Sequence, residues 1–243
     1  MYKKYSYYIF NNLYSNKVYK FFIWSFLLIM TFFTVRKYKQ VNIFEGIGLV
    51  FTDYNFLCLC YLIFSFLITK KINNEYENNN FIKIRFSTEK KYYLENLKSN
   101  LLCQTLYFIV VLALVIMLLN FLSLSDYSIL YLENFKMNSL SFCIYSLVKI
   151  YLFTILLSTI NTYFFYKISE YYIYFGNVLL YIFILVNAYL QSEMITNFVS
   201  LFIGNSLVNS TCYLNYYYDI TNYIIHMLLI LIIFIIIKVV NKK

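Results

Sequence analysis

The sequence predicts an all-α integral membrane protein: a six-transmembrane-helix bundle with both termini cytoplasmic. Three observations predict it. Of 243 residues, 62% are hydrophobic and only 13% charged, where soluble domains carry about 45–50% and 25%. The 29 Tyr and 25 Phe exceed what a water-soluble core of this length can hide. Six segments reach or approach the ~20 apolar residues that carry a helix across ~30 Å of hydrocarbon. They form one membrane domain over 1–243, because no Pro, Gly or Ser linker and no fixed-period repeat divides the chain.

Residues 1–20 set Tyr2, Tyr5, Ile9 and Leu13 at helical spacing against Lys3, Lys4, Asn12 and Asn16. That pattern suits an interfacial helix in the headgroup layer, with a disordered basic tail as the alternative. The first span is placed at about 19–37. Its apolar centre is short, and it reaches full length with Tyr19 and Tyr38 at the interfaces while Lys20, Arg36 and Lys37 snorkel. The Arg-Lys-Tyr-Lys after Val35 offers no small-residue cleavage site, so the segment reads as an uncleaved anchor rather than a signal peptide. The second span is placed at 49–69.

The loop 70–100 opens with the Asn-rich stretch 73–80, read as a polar turn. Phe81 to Phe86 then alternate apolar and basic side chains. Ser87 is placed to cap a following helix, with Glu89 near its positive end. Leu94, Leu97 and Leu101 run at helical spacing straight into the third span, 101–122. Spans four, five and six are placed at 140–161, 171–190 and 223–240. The outer loop 191–222 has no Lys or Arg but sets Ile195, Phe198, Val199 and Phe202 on one helical face. Too short to cross, it reads as either a re-entrant or an interfacial element.

The basic residues agree with both termini being cytoplasmic. With both ends inside, 15 Lys and Arg lie on the inner side and 4 on the outer, while Lys149 falls inside a span. Dropping the short first span changes the split only to 14 and 5, so its aromatic-aliphatic density defends that span better than charge does. Such asymmetry is the positive-inside pattern. The net charge of +9 therefore reads as a basic cytoplasmic rim, not as a nucleic-acid surface.

The same residues exclude several chemistries. Four of the five Cys (Cys58, Cys60, Cys103, Cys143, Cys212) fall inside predicted spans and act as small apolar groups. With a single histidine, His226, neither a multi-His metal cage nor a base held by an acid is readily built. No GxxxxGK[ST] loop occurs. The chain is expected to be no enzyme and to hold no cofactor or metal. The informative polar residues are intramembrane. Lys149 sits near mid-depth of span four, where a charge is costly unless paired or hydrated, and Asp53 in span two is its candidate partner. Asn177, Asn187, Gln104 and Asn120 are expected to hydrogen-bond between helices.

The stretch Ile82-Lys83-Ile84-Arg85-Phe86-Ser87-Thr88-Glu89-Lys90-Lys91-Tyr92-Tyr93-Leu94 resembles a segment of bacterial type 2 (export-class) ABC transporter permeases. In that family an apolar-Arg-x-x-Ser stretch precedes a basic-aromatic helix entering span three. Arg85, Ser87, Lys90, Lys91 and Tyr92 match it. The resemblance covers most of the chain in layout and about 15 residues in motif. It implies that 70–100 is a coupling loop that docks on a separate ATP-binding cassette ATPase. It further implies pairing with a second permease copy or relative, in the plasma membrane of a bacterial cell. A different class remains open, a non-transporting polytopic partner such as a bacteriocin-immunity or assembly protein. So does an ion-driven secondary transporter, which would want broken helices. The absence of Pro and scarcity of Gly speak against such breaks. The cargo is not legible.

Overall fold

The computed structural model describes residues 17–38, 41–53, 55–78, 88–122 and 139–190. They are almost entirely helical, and no strand occurs among them. The helices are α1 (Lys17–Lys37), α2 (Ile43–Thr52), α3 (Ile63–Asn78), α4 (Glu89–Leu122), α5 (Ser139–Lys167) and α6 (Glu170–Leu190), with a π-helical segment, Phe56–Leu62, leading into α3. Three stretches, Phe56–Tyr76, Lys91–Leu122 and Ser139–Phe165, are long and apolar enough to cross a membrane. The N-terminal element expected over 1–16, the outer loop 191–222 and the sixth span 223–240 lie outside the described residues.

The segment expected as one helix over 49–69 is two. Helix α2 stops at Thr52, and Asp53 adopts an extended conformation with φ −69° and ψ 122°. Asp53 serves both sides of the break. Its N–H still donates to the Val50 carbonyl at 3.3 Å, while its Oδ1 accepts from the Phe56 N–H at 3.1 Å. A short carboxylate that caps an orphan N–H can end one helix and start the next without Pro or Gly. The scarcity of Pro and Gly was therefore the wrong test for a broken helix.

The next turns are π-helical because a wide aromatic is accommodated inside the bundle. Tyr61 is fully buried, stacks on Tyr107 with ring centroids 5.3 Å apart, and receives the Thr154 hydroxyl at 3.1 Å. Where a π ladder returns to α spacing, a backbone carbonyl loses its helical donor. Here hydroxyls from other helices approach: Tyr107 donates to Tyr61 O at 3.4 Å and Tyr181 to Leu62 O at 3.1 Å.

Beyond this point 56–78 runs antiparallel to α4, as paired contacts show: Tyr61 with Tyr107, Ser65 with Gln104, Asn73 with Asn96. At 34 residues, α4 is ~51 Å long, well beyond ~30 Å of hydrocarbon. Its charges, Glu89, Lys90, Lys91, Glu95 and Lys98, all lie in its first turns, so that is the end that projects. From Tyr107 on, its inward face is Val111, Val115 and Leu119, all fully buried. Its outward face shows Ile109, Met117 and Phe121, exposed as lipid-facing side chains are.

Helix α2 packs against α5 and α4 through close approach at two glycines. A Cβ on Gly48 would lie 2.5 Å from the Phe142 ring, and one on Gly46 would lie 3.0 Å from Leu119. Alongside them, Phe51 meets Phe56, Tyr61 and Phe108 with centroids 5.7–6.0 Å apart.

Candidate functional site

Buried polar side chains line α3 and α4 where the two helices pair, besides those carried by α5. On α3 they fall at Ser65, Thr69, Asn73 and Tyr76, a stripe at i, i+4, i+8 and i+11. On α4 they are Asn96, Ser99, Asn100 and Gln104, a stripe at i, i+3, i+4 and i+8. Side chains at these spacings share one helix face, so the two stripes meet.

Three linked groups result. Nearest the bundle centre, the Ser65 hydroxyl donates to Gln104 Oε1 at 2.9 Å. Gln104 Nε2 donates to Ser65 O at 2.7 Å and Thr69 Oγ1 at 3.0 Å, and Thr69 Oγ1 meets Ser158 Oγ of α5 at 3.2 Å. Next is an amide cluster. Asn73 Oδ1 accepts from Asn96 Nδ2 at 2.7 Å and from Asn100 Nδ2 at 3.3 Å, while Asn100 Nδ2 also reaches Asn96 Oδ1 at 3.0 Å. Asn73 Nδ2 and Asn100 Oδ1 are buried and find no hydrogen-bond partner among the described residues. Outermost, the Tyr76 hydroxyl meets Ser99 Oγ at 2.8 Å, and the Tyr76 ring stands edge-on to Tyr92 at 5.6 Å.

The amide cluster overturns the polar turn expected at 73–80. Asn73 is an interior residue of a helix that continues to Asn78, because three amides and a buried tyrosine replace the solvent that a turn would offer. Helix α3 thereby continues to Asn78 and α4 starts at Glu89, so the two pair beyond Lys70 as a two-helix stalk, and residues 79–87 lie outside the described residues. Between the Gln104 group and the amide cluster, Lys70 pairs with Glu170 at the start of α6 and lies 4.3 Å from the centre of the Tyr174 ring. Tyr93 and Leu97 pack with Leu101 and Tyr163, bracing the stalk on the end of α5.

The residues singled out from the sequence fall as follows. Arg85 and Ser87 lie outside the described residues. Thr88 carries a cap at the start of α4: its Oγ1 accepts from the Lys91 N–H at 3.4 Å and its carbonyl from the Tyr92 N–H at 3.2 Å. Lys90 lies in the first turn of α4. Lys91 is exposed near the tip, and Tyr92 is buried under Tyr76.

Lys149 is buried in α5, 4% exposed. The carboxylate the sequence offered to it is held instead by α1. Lys37 Nζ lies 2.9 Å from Asp53 Oδ2 and the Tyr38 hydroxyl 3.2 Å from the same oxygen. Burial, and secondarily the Asp53 charge, push the Tyr38 phenol above its ordinary pKa, so it stays a donor. Glu45, 1% exposed on α2, accepts from the Ser139 hydroxyl at 2.8 Å.

Of the interhelical amides, Gln104 is bonded as above. Asn177 and Asn161 exchange hydrogen bonds at 3.1 and 2.8 Å between α6 and α5, beside an apolar groove of about 450 Å³. Asn120 is exposed, and the side chain of Asn187 and all of His226 lie outside the described side chains. Cys58, Cys60, Cys103 and Cys143 are free thiols in the core. The sequence reading missed Asn73, Asn96, Asn100 and Tyr76. The signal was their shared heptad-like spacing, masked by a run of Asn that resembles a breaker.

Comparison with family models, with curated proteins and with solved structures gave no match.

Proposed function

We propose that the chain is the membrane-spanning permease subunit of an ABC-type exporter in the plasma membrane of a bacterium. In this reading it has six spans, with both termini and the loop 79–88 in the cytoplasm. A separate ATP-binding cassette ATPase docks on that loop, and a second permease, identical or related, completes the transport path. The chain itself contributes no bond-breaking chemistry. It converts ATP-driven closure of the ATPase into a shift between two helix packings, which requires only that the ATPase favour one packing over the other.

The observation that carries the reading is the stalk. The pair α3–α4 does not end at the charged side chain of Lys70. It continues for the nine residues 70–78, ~13 Å of helix, with buried Ile72, Asn73 and Tyr76 on one side and Asn96, Leu97 and Asn100 on the other. A loop of basic and aromatic residues needs no such mount unless something pushes on it. Co-purification tests the reading. The wild-type chain is expected to retain an ATPase, and the charge reversal Arg85→Glu/Lys90→Glu/Lys91→Glu to lose it. Equal retention by that variant would contradict the docking role.

A second reading, an ion-driven transporter, gains support from one feature. The helix break at Asp53 and the buried Glu45 and Lys149 are of the kind that line ion sites in transporters with discontinuous helices. Under it, Lys149→Met and Glu45→Gln abolish transport while leaving the folded bundle intact. Under the first reading both variants stay active.

A further inference from the structure

We propose that Asn73, Asn96, Asn100 and Tyr76 are positioning residues. They fix the register of α3 against α4, and thereby the place at which the loop 79–88 is presented. The inference rests on the docking role proposed for that loop, but it concerns side chains that the loop itself does not contain.

The chemistry of the interface sets it apart from ordinary packing. Apolar side chains interlock non-directionally, and a helix pair joined by them alone tolerates sliding by a turn at little cost. A buried amide does not, because a slip strands its donors and acceptors, and single buried Asn residues set register in coiled coils for that reason. Here Asn73 Oδ1 collects two donors from α4, four residues apart, at 2.7 and 3.3 Å. Three residues further along α3, Tyr76 adds a third bond to Ser99 at 2.8 Å. A slip of α3 by one turn in either direction breaks the Tyr76 bond and at least one of the two to Asn73. The cluster is not simply maximising stability, since Asn73 Nδ2 and Asn100 Oδ1 are buried with no partner among the described residues. A leucine core of the same volume would avoid that cost. What the amides contribute is one allowed register.

The arrangement also places the lock in the right position. It lies between the Lys70–Glu170 pair and the buried Tyr92 near the start of α4. The cluster stands between residues 79–87 and Ser65, Thr69 and Gln104, whose bonds tie α3 and α4 to each other and to α5.

The test is the full chain with its native cysteines replaced and spin labels on Glu75→Cys and Lys91→Cys, with and without Asn73→Leu/Asn96→Leu/Asn100→Leu. The unsubstituted stalk is expected to give one narrow distance. The triple variant keeps its melting temperature but acquires a second population, displaced by about one helical turn, ~5 Å. Its bound ATPase is no longer stimulated. Tyr76→Phe, which removes one bond and folds without difficulty, gives a smaller share of the displaced population. A single narrow distance in both variants would overturn the proposal, as would a displaced population with stimulation intact. Should no ATPase accompany even the wild-type chain, the docking role fails while the distance measurement still decides whether the amides set the register.

Discussion

The two halves of the inward face of α4 are built from opposite materials. Towards the C-terminal end of α4 the inward face is Tyr107, Val111, Val115 and Leu119, with Tyr61 of the π-helical segment stacked on Tyr107 and Gly46 of α2 close to Leu119. Towards the N-terminal end it is Gln104, Asn100 and Asn96, facing Thr69, Asn73 and Tyr76. The same four-residue spacing carries both, so the contrast is chemical and not geometric. It teaches that one half is held by volume and the other by pairing. In a membrane the apolar half draws its stability from close fit, because lipid is as apolar as leucine and transfer from water no longer drives helix association. The polar half gains specificity from bonds that lipid cannot replace.

The contrast can be broken most forcefully in the apolar half. Phe51→Ala empties a site enclosed by three aromatic rings and is expected to cost ~3–5 kcal/mol, read as a large loss of thermal stability in detergent. Gly48→Ala drives a methyl into the Phe142 ring and should cost ~1–3 kcal/mol. Phe142→Leu in the same chain should restore part of the loss, and a double-mutant cycle measures the coupling. In the polar half the same scale of change should cost less. Gln104→Leu removes bonds to Ser65 and Thr69, each worth on average ~0.6 kcal/mol between membrane helices. If it proved as damaging as Phe51→Ala, the distinction between the halves would be lost.

The smallest effects belong to the helix break. Asp53→Ala removes both the cap on Phe56 and the pairing with Lys37 and should cost ~1 kcal/mol. Asp53→Asn keeps an oxygen for the cap and loses only the charge, and Lys37→Ala removes a side chain 53% exposed. Both should fall within ~0–1 kcal/mol. Ranking the three by melting temperature separates capping from ion pairing at that junction.

Helical class and the apolar stretches of α3, α4 and α5 were legible from composition and run length, since hydrocarbon thickness dictates both. Less legible was where helices stop. An Asp inside an apolar run reads as a buried charge, and only the structure reveals that it caps Phe56 and takes Lys37 from the neighbouring helix. Asn73 shows the converse. Asn favours turns because its side chain competes for the backbone, yet here its amide is occupied by two other amides across the interface, so the helix continues. Apart from the cap on Phe56, three positions on, the partners in both cases are distant in sequence, from 15 to 27 positions away. A single chain read in order carries no sign of such pairs beyond matching periodicity on two helices.

The account stands on the stalk tip facing the cytoplasm. A direct measurement is labelling of Lys91→Cys, in a chain otherwise free of cysteine, by a membrane-impermeant maleimide. Labelling of inside-out vesicles with protection in intact cells is the predicted result. Rapid labelling in intact cells would put the basic loop outside, beyond reach of any ATPase, and would contradict the proposed function.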